Sequence, residues 1–181
     1  MASRNRSGSA RRAAVSPAWH SSSQRTSALG GPLQKTKIRI REVEKGDASQ
    51  LATLMCELGY ETTSTEMKTR LKLILPNPAY KTFVAVMDGR VCGMIGTLAC
   101  ASYEHNDPGG RILALVTLRA ARRHGIGRAL IATAEKDFAQ RGIGRIALNT
   151  QLTRENAHKF YESLGYERNG WRFVKQLPVG N

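Results

Sequence analysis

From Lys37 onward the apolar residues fall into two rhythms, short alternating or continuous runs and longer stretches with helical spacing. The run "KIRIREV" sets Ile38, Ile40 and Val43 in imperfect alternation and predicts a first strand. Asp47 and Gln50 have the spacing of a capping box, and Leu51, Leu54, Met55 and Leu58 then form one helical stripe that stops at Gly59. A weaker helix is expected from about 64 to 75, ended by "PNP". "TFVAVMDGRVCGMIGTLAC" predicts a hairpin turning at Asp88-Gly89, a pair suited to a type I′ turn. After the polar loop "YEHNDPGG" comes the strand "GGRILALVTL".

The second half of the body repeats the alternation of strand and helix. Ile126, Leu130, Ile131, Ala134 and Phe138 line one face of a helix ending near Gly142, and "RIALNTQ" follows as a strand. A further helix, 154–164, is striped by Ala157, Phe160, Tyr161 and Leu164, with Thr153 or Asn156 as its cap. "GYERNGWRFVKQL" predicts a closing strand pair with a turn at Asn169-Gly170. Together these elements specify an α/β fold, a mixed sheet with helices on its faces.

Residues 1–36 have no such rhythm. Residues 1–41 contain nine of the 28 Lys and Arg and no acid, so they hold nine of the +14 net charge, and the rest of the chain carries +5. The composition, rich in Ser, Arg, Ala and Gly, predicts a disordered basic extension over 1–36 and a folded domain over 37–181. Three readings of the extension stand: a solvated tail, an organelle transit peptide, or an arm that binds nucleic acid through phosphates. It has no apolar core of a secretory signal, and the longest mostly apolar run, 91–101, is far short of the ~20 residues that cross a bilayer. The expectation is a cytoplasmic protein without a membrane partner.

The three cysteines, Cys56, Cys92 and Cys100, are odd in number and contain no C-x-x-C, which argues against a disulfide framework or a zinc knuckle and for buried thiols. His124 and His158 stand 34 residues apart with no third ligand at metal spacing, so no metal is expected.

Chemistry concentrates in "RRHGIGRAL", 122–130, where two glycines among basic side chains join the strand "ILALVTL" to a helix. The first turn of a helix has free N–H groups and about half a positive charge, glycine lets a ligand approach the backbone, and Arg122, Arg123 and Arg128 add long-range attraction. The segment is therefore a candidate site for an anion, most simply a diphosphate. It is not a Walker A loop, having no Lys-Ser or Lys-Thr, and Leu130 occupies the third glycine position of a dinucleotide fingerprint.

Arg122-x-x-Gly125-x-Gly127 after a strand, followed by "RENAHKFYESLGY", resembles the GCN5-related N-acetyltransferase (GNAT) family over most of 37–177. The resemblance implies a mostly antiparallel central sheet and acetyl-CoA as acetyl donor. It implies that Leu115, Val116 and Thr117 pair their backbone with the pantetheine arm. The pyrophosphate would lie on the amides of Arg123, His124, Gly125, Ile126, Gly127 and Arg128. Arg154 stands where the family has an asparagine that contacts pantetheine, and Tyr161 corresponds to the acid that protonates the departing thiolate. The last segment is also similar to small-molecule acetyltransferases of the aminoalkylphosphonate and aminoglycoside type, although Arg111 and Ala114 stand where acids are expected in the former.

That role suits a phenol of pKa ~10, which donates to a thiolate at neutral pH without being ionised. A general base is not evident: Ala114 and Asn149 occupy positions where an acid would stand, and Glu57, Glu61, Glu104 and His105 are the remaining candidates, acting through water. Trp171 and Phe173 either line the acceptor site or pack in a strand. The expected activity is transfer of acetyl to a primary amine of a small molecule, with a protein amine as the alternative acceptor. The non-enzymatic alternatives are a nucleic-acid binder using the arm and an acyl-CoA-binding sensor, and a homodimer stays open.

Overall fold

A computed structural model describes residues 37–178. The basic extension lies outside the described residues, so its three readings are not addressed by the fold. The elements follow in the order β1 (Arg39–Glu42), α1 (Ala48–Leu58), α2 (Ser64–Ile74), β2 (Tyr80–Met87), β3 (Arg90–Cys100), β4 (Gly109–Thr117), α3 (Ile126–Gln140), β5 (Ile146–Leu148) and α4 (Glu155–Glu162). They form one five-stranded sheet in sequence order. The pairs β1–β2, β2–β3 and β3–β4 are antiparallel, while β4 and β5 are parallel and joined across α3. This is the mixed, mostly antiparallel α/β sheet that was expected.

Side chains on the two faces of the sheet build two cores. On one face Leu51 and Leu54 of α1 and Met67 and Leu71 of α2 pack with Val84, Met94 and Val116. On the other, Ile126, Leu130, Ile131 and Ala134 of α3 pack with Phe83, Ala85, Ile95 and Ile112. The five apolar positions read from the α3 stripe are each no more than 1% exposed. At Gly93 of β3 an added Cβ would lie 2.9 Å from Ile126 Cγ2 and 3.1 Å from the Val116 carbonyl. The absence of a side chain there sets how closely the first turn of α3 approaches the sheet.

Local signals behave unevenly. Asp88 (φ 51°) and Gly89 (φ 75°) both adopt left-handed backbone, as a type I′ turn requires. The capping box expected from Asp47 and Gln50 does not form. Asp47 instead receives both Arg41 guanidinium nitrogens at 2.7 and 2.8 Å and the Glu44 N–H at 2.8 Å, while Gln50 Oε1 accepts from Val91 N–H at 2.8 Å. A bidentate guanidinium is the stronger partner for a buried carboxylate, and it holds Asp47 below the usual carboxylate pKa. A capping box does occur at α2, between Thr63 and Glu66.

Three further expectations are corrected. Residues 167–178 contain no strand, and Trp171 and Phe173 are 78% and 92% exposed, so they pack in no strand. Of the cysteines only Cys92 is buried; Cys56, beside rather than within the apolar stripe of α1, is exposed and Cys100 is half-buried. Neither Thr153 nor Asn156 caps α4, whose N-cap is Arg154 with no side-chain cap bond.

Candidate active site

The site begins at a defect in β4. Its register with β3 moves from Gly96↔Ala114 to Thr97↔Ile112, which leaves Leu113 as an extra, bulged residue. Pairing of β4 with β5 ends at the same point, Ile112↔Leu148. A bulge bends and twists the strand that contains it. Beyond it, Leu115, Val116 and Thr117 remain paired to Ile95, Met94 and Gly93, with no strand among the described residues opposite their other edge. The sheet therefore opens into a notch with polar backbone along one wall.

That wall leads into the anion loop. Arg123 (φ 66°) and Gly125 (φ 78°) are left-handed on either side of His124, and Gly125 is the N-cap of α3. The first helical bond runs from Ala129 N–H to the Gly125 carbonyl, at 3.0 Å. The N–H groups of Ile126, Gly127 and Arg128 precede it and have no acceptor within the helix. Those of Arg123, His124 and Gly125 make no backbone bond among the described residues. Six consecutive donors thus gather at the positive end of a 15-residue helix, the arrangement of an anion nest.

The two glycines serve different purposes. A Cβ at Gly125 would meet nothing within 4 Å, so this glycine is there for its left-handed backbone and the open approach it leaves. At Gly127 a Cβ would lie 3.3 Å from the Phe160 ring, so the second glycine lets α4 pack on α3.

Two of the loop's side chains are engaged elsewhere. Arg122 donates from Nη2 to Glu57 Oε1 at 2.7 Å and from Nε to the Thr117 carbonyl at 3.3 Å. His124 Nδ1 lies 2.9 Å from the Arg122 carbonyl. Arg123 and Arg128 are exposed. Arg154 reaches from the start of α4 to the Leu58 carbonyl at 2.7 Å, meeting an unsatisfied carbonyl at the end of α1. Two arginines distant in sequence therefore grip the last turn of α1. No sequence signal pairs them with it.

Tyr161 is half-buried on α4 and packs edge-on against Phe160 and Tyr166, with ring centroids 5.3 and 5.8 Å away. It belongs to the same core face as Leu115 and Leu148, which flank the notch. Burial pushes its pKa up, and the Arg154 charge pulls it partly back. The net shift favours the protonated phenol, the form a proton donor needs. Its neighbour Tyr166 donates to Glu135 Oε1 at 2.9 Å, and burial with that carboxylate raises its pKa strongly.

A cavity of about 550 Å³ opens where the Leu113 bulge and Ala114 face the end of α1. Met55 and Leu58 form its apolar wall, and Glu61 and Arg70 bring charge. Among the candidate bases Glu61 lines this cavity, whereas Glu57 is held by Arg122. The backbone N–H groups of Glu104 and His105 donate to Ser102 Oγ in the exposed loop after β3. Asn149, its amide oriented to its partners, accepts from Arg111 Nη2 at 2.9 Å. Among the described residues no cluster of three His, Cys, Asp or Glu could hold a metal, and no helix is long and apolar enough to cross a membrane.

These features match known proteins. The profile of the acetyltransferase (GNAT) family matches residues 48–166. The chain is 32% identical over 143 residues to the aminoalkylphosphonate N-acetyltransferase of Salmonella typhimurium, covering 76% of this chain and 90% of that one. It is 27% identical to the aminoglycoside N(6')-acetyltransferase type 1 of Klebsiella aerogenes, over 70% of this chain and 88% of the relative. Among solved structures, a GNAT family acetyltransferase of Staphylococcus aureus superposes with a TM-score of 0.68 at 29% identity, covering 77% of this chain and 98% of the other. With a family match across both the notch and the loop, and a relative aligned along nearly its whole length, the chain belongs to the GNAT family of acetyltransferases.

Proposed function

We propose that the domain spanning 37–181 transfers the acetyl group of acetyl-CoA to a primary amine of a small molecule. The observation that carries this reading is the six-amide nest at the start of α3, continuous with the unpaired edge of β4. Arg123 to Arg128 would hold the pyrophosphate through their N–H groups, and Leu115 to Thr117 would pair with the amides of the pantetheine arm. The thioester would then lie near the bulge, between Tyr161 and the cavity. Arg122 and Arg154 act as positioning residues, since their guanidinium groups are engaged with α1.

The chemistry is a direct displacement. The neutral amine attacks the thioester carbonyl carbon, the C–N bond forms and the C–S bond breaks. The departing thiolate takes the Tyr161 proton, which solvent replaces. The attacking nitrogen loses its extra proton to water or, through water, to Glu61 at the cavity wall. The small-molecule amines named in two relatives support a small acceptor over a protein.

The test is thiol release from acetyl-CoA in the presence of a panel of amines, run beside thermal unfolding. Acetyl-CoA at 100 times its Kd is expected to stabilise the fold by ~2.7 kcal/mol. No stabilisation and no thiol release with any amine would refute the reading.

A further inference from the structure

Resting on the role proposed above for Tyr161, we propose that Tyr166, anchored by Glu135, is a positioning residue that sets the Tyr161 phenol relative to the coenzyme loop. Tyr161 has little else to orient it. Among the described residues its hydroxyl has no hydrogen-bond partner, and its helix α4 is only eight residues long. The ring is therefore placed by packing, edge-on against Phe160 and Tyr166.

Tyr166 is tied to Tyr161 twice. The chain reverses at Gly165 (φ 87°); the Tyr166 N–H donates to the Tyr161 carbonyl at 3.1 Å, and the Gly165 N–H to the Glu162 carbonyl at 3.0 Å. This is the bond pattern of a Schellman helix end, which brings the side chains at its two ends into contact. Here those side chains are the two tyrosine rings, with centroids 5.8 Å apart and planes at 67°. A phenylalanine would make the same contact, so the Tyr166 hydroxyl is the additional feature. It donates to Glu135 Oε1 at 2.9 Å, across to α3. Among the described residues no Lys or Arg pairs with Glu135, which leaves the phenol as its partner.

Glu135 lies on the helix whose first turn forms the nest, and Phe160 meets that same helix at Gly127. Two contacts about two turns apart therefore hold the helix of the acid in register with the coenzyme loop. The contact at Gly127 is apolar, and the bond to Glu135 is the directional one.

The experiment uses the full chain. Thiol-release kinetics and calorimetric acetyl-CoA binding are measured on each variant, with denaturant unfolding to check that it is folded. Tyr166→Phe keeps the ring and removes the hydroxyl; kcat is expected to fall about tenfold, with acetyl-CoA Kd and amine KM within about twofold of wild type. Glu135→Leu should reproduce that fall, and Glu135→Gln, which keeps an acceptor oxygen, should restore kcat to within about threefold of wild type. A double variant separates positioning of Tyr161 from general support of the fold. Once Tyr161→Phe has removed the donated proton, adding Tyr166→Phe should lower kcat by less than about twofold more. A further tenfold fall in the double variant, unchanged kcat in Tyr166→Phe, or a rise in Kd as large as the fall in kcat overturns the proposal while the acetyltransferase reading stands. Wild-type turnover in Tyr161→Phe overturns it together with the acid role. Failure of the acetyltransferase reading itself is recognised separately, by absence of both acetyl-CoA binding and thiol release.

Discussion

The loop that opens α3 and the cavity beside the Leu113 bulge both adjoin one strand, β4, yet they are built differently. The loop is a single continuous segment whose six N–H groups make no backbone bond among the described residues, while Arg122 and His124 engage their side chains elsewhere. The cavity is assembled from side chains of α1, the connection after it, α2 and the β4 bulge. A site made of backbone depends on φ and tolerates changes of side chain. A site made of side chains depends on the packing that brings distant segments together, so the two regions should fail in different ways.

The largest expected effect breaks the loop alone. Gly125→Asp forces a side chain into left-handed backbone and sets a carboxylate in the nest. It should lower acetyl-CoA affinity by at least ~100-fold in calorimetry, with the fold retained. Wild-type affinity in this variant would show that the nest is not the coenzyme site.

Tyr161→Phe removes only a hydroxyl and should separate chemistry from binding. A drop in kcat of about 100-fold is expected, with coenzyme Kd changed less than about twofold. Because burial raises the phenol pKa, its acid form persists above the ordinary value, so the wild-type rate should rise with pH as the amine loses its proton and show no tyrosine-dependent fall below pH ~10. Unaltered turnover in the variant across that range would remove Tyr161 from the mechanism.

Gly93→Ala tests whether the loop depends on the sheet beneath it. The new methyl would press on Ile126, at the start of α3, and on the Val116 carbonyl, costing about 1–3 kcal/mol in denaturant unfolding and weakening acetyl-CoA binding as well. Loss of stability with coenzyme affinity intact would mean that the nest is self-supporting.

The smallest effect concerns the link between the two regions. Glu57→Gln releases Arg122 from α1; the pair is partly exposed and its worth is at most about 1 kcal/mol. Acceptor KM should rise about two- to threefold while coenzyme Kd stays constant. The reverse split would make Arg122 a phosphate ligand.

Much of the architecture was legible because it depends on neighbours in sequence. The α3 stripe, the Asp88-Gly89 turn and the helix stop at Gly59 each follow from local periodicity or a left-handed residue. Candidate chemistry was readable in the loop for the same reason, since an anion nest is a property of consecutive backbone. Cys56 was misread because the helical period turns it off the buried stripe of α1, although its neighbours in sequence are apolar. The missing capping box has a similar cause: Arg41, on another element, takes the Asp47 carboxylate.

The amino-acid order by itself determined the helices and strands up to α4, where the hairpin turns, and that a run of free amides with glycine punctuation opens α3, but not the end of the chain, where the expected strand pair is absent. Tertiary structure alone decided that Leu113 bulges, that β4 leaves β5 at that point, that Gly127 serves α4, and that Arg122 and Arg154 close on α1. The physical reason is range. Backbone conformation is set within a few residues, whereas side-chain partners up to 96 residues apart meet only once both faces of the sheet have been packed.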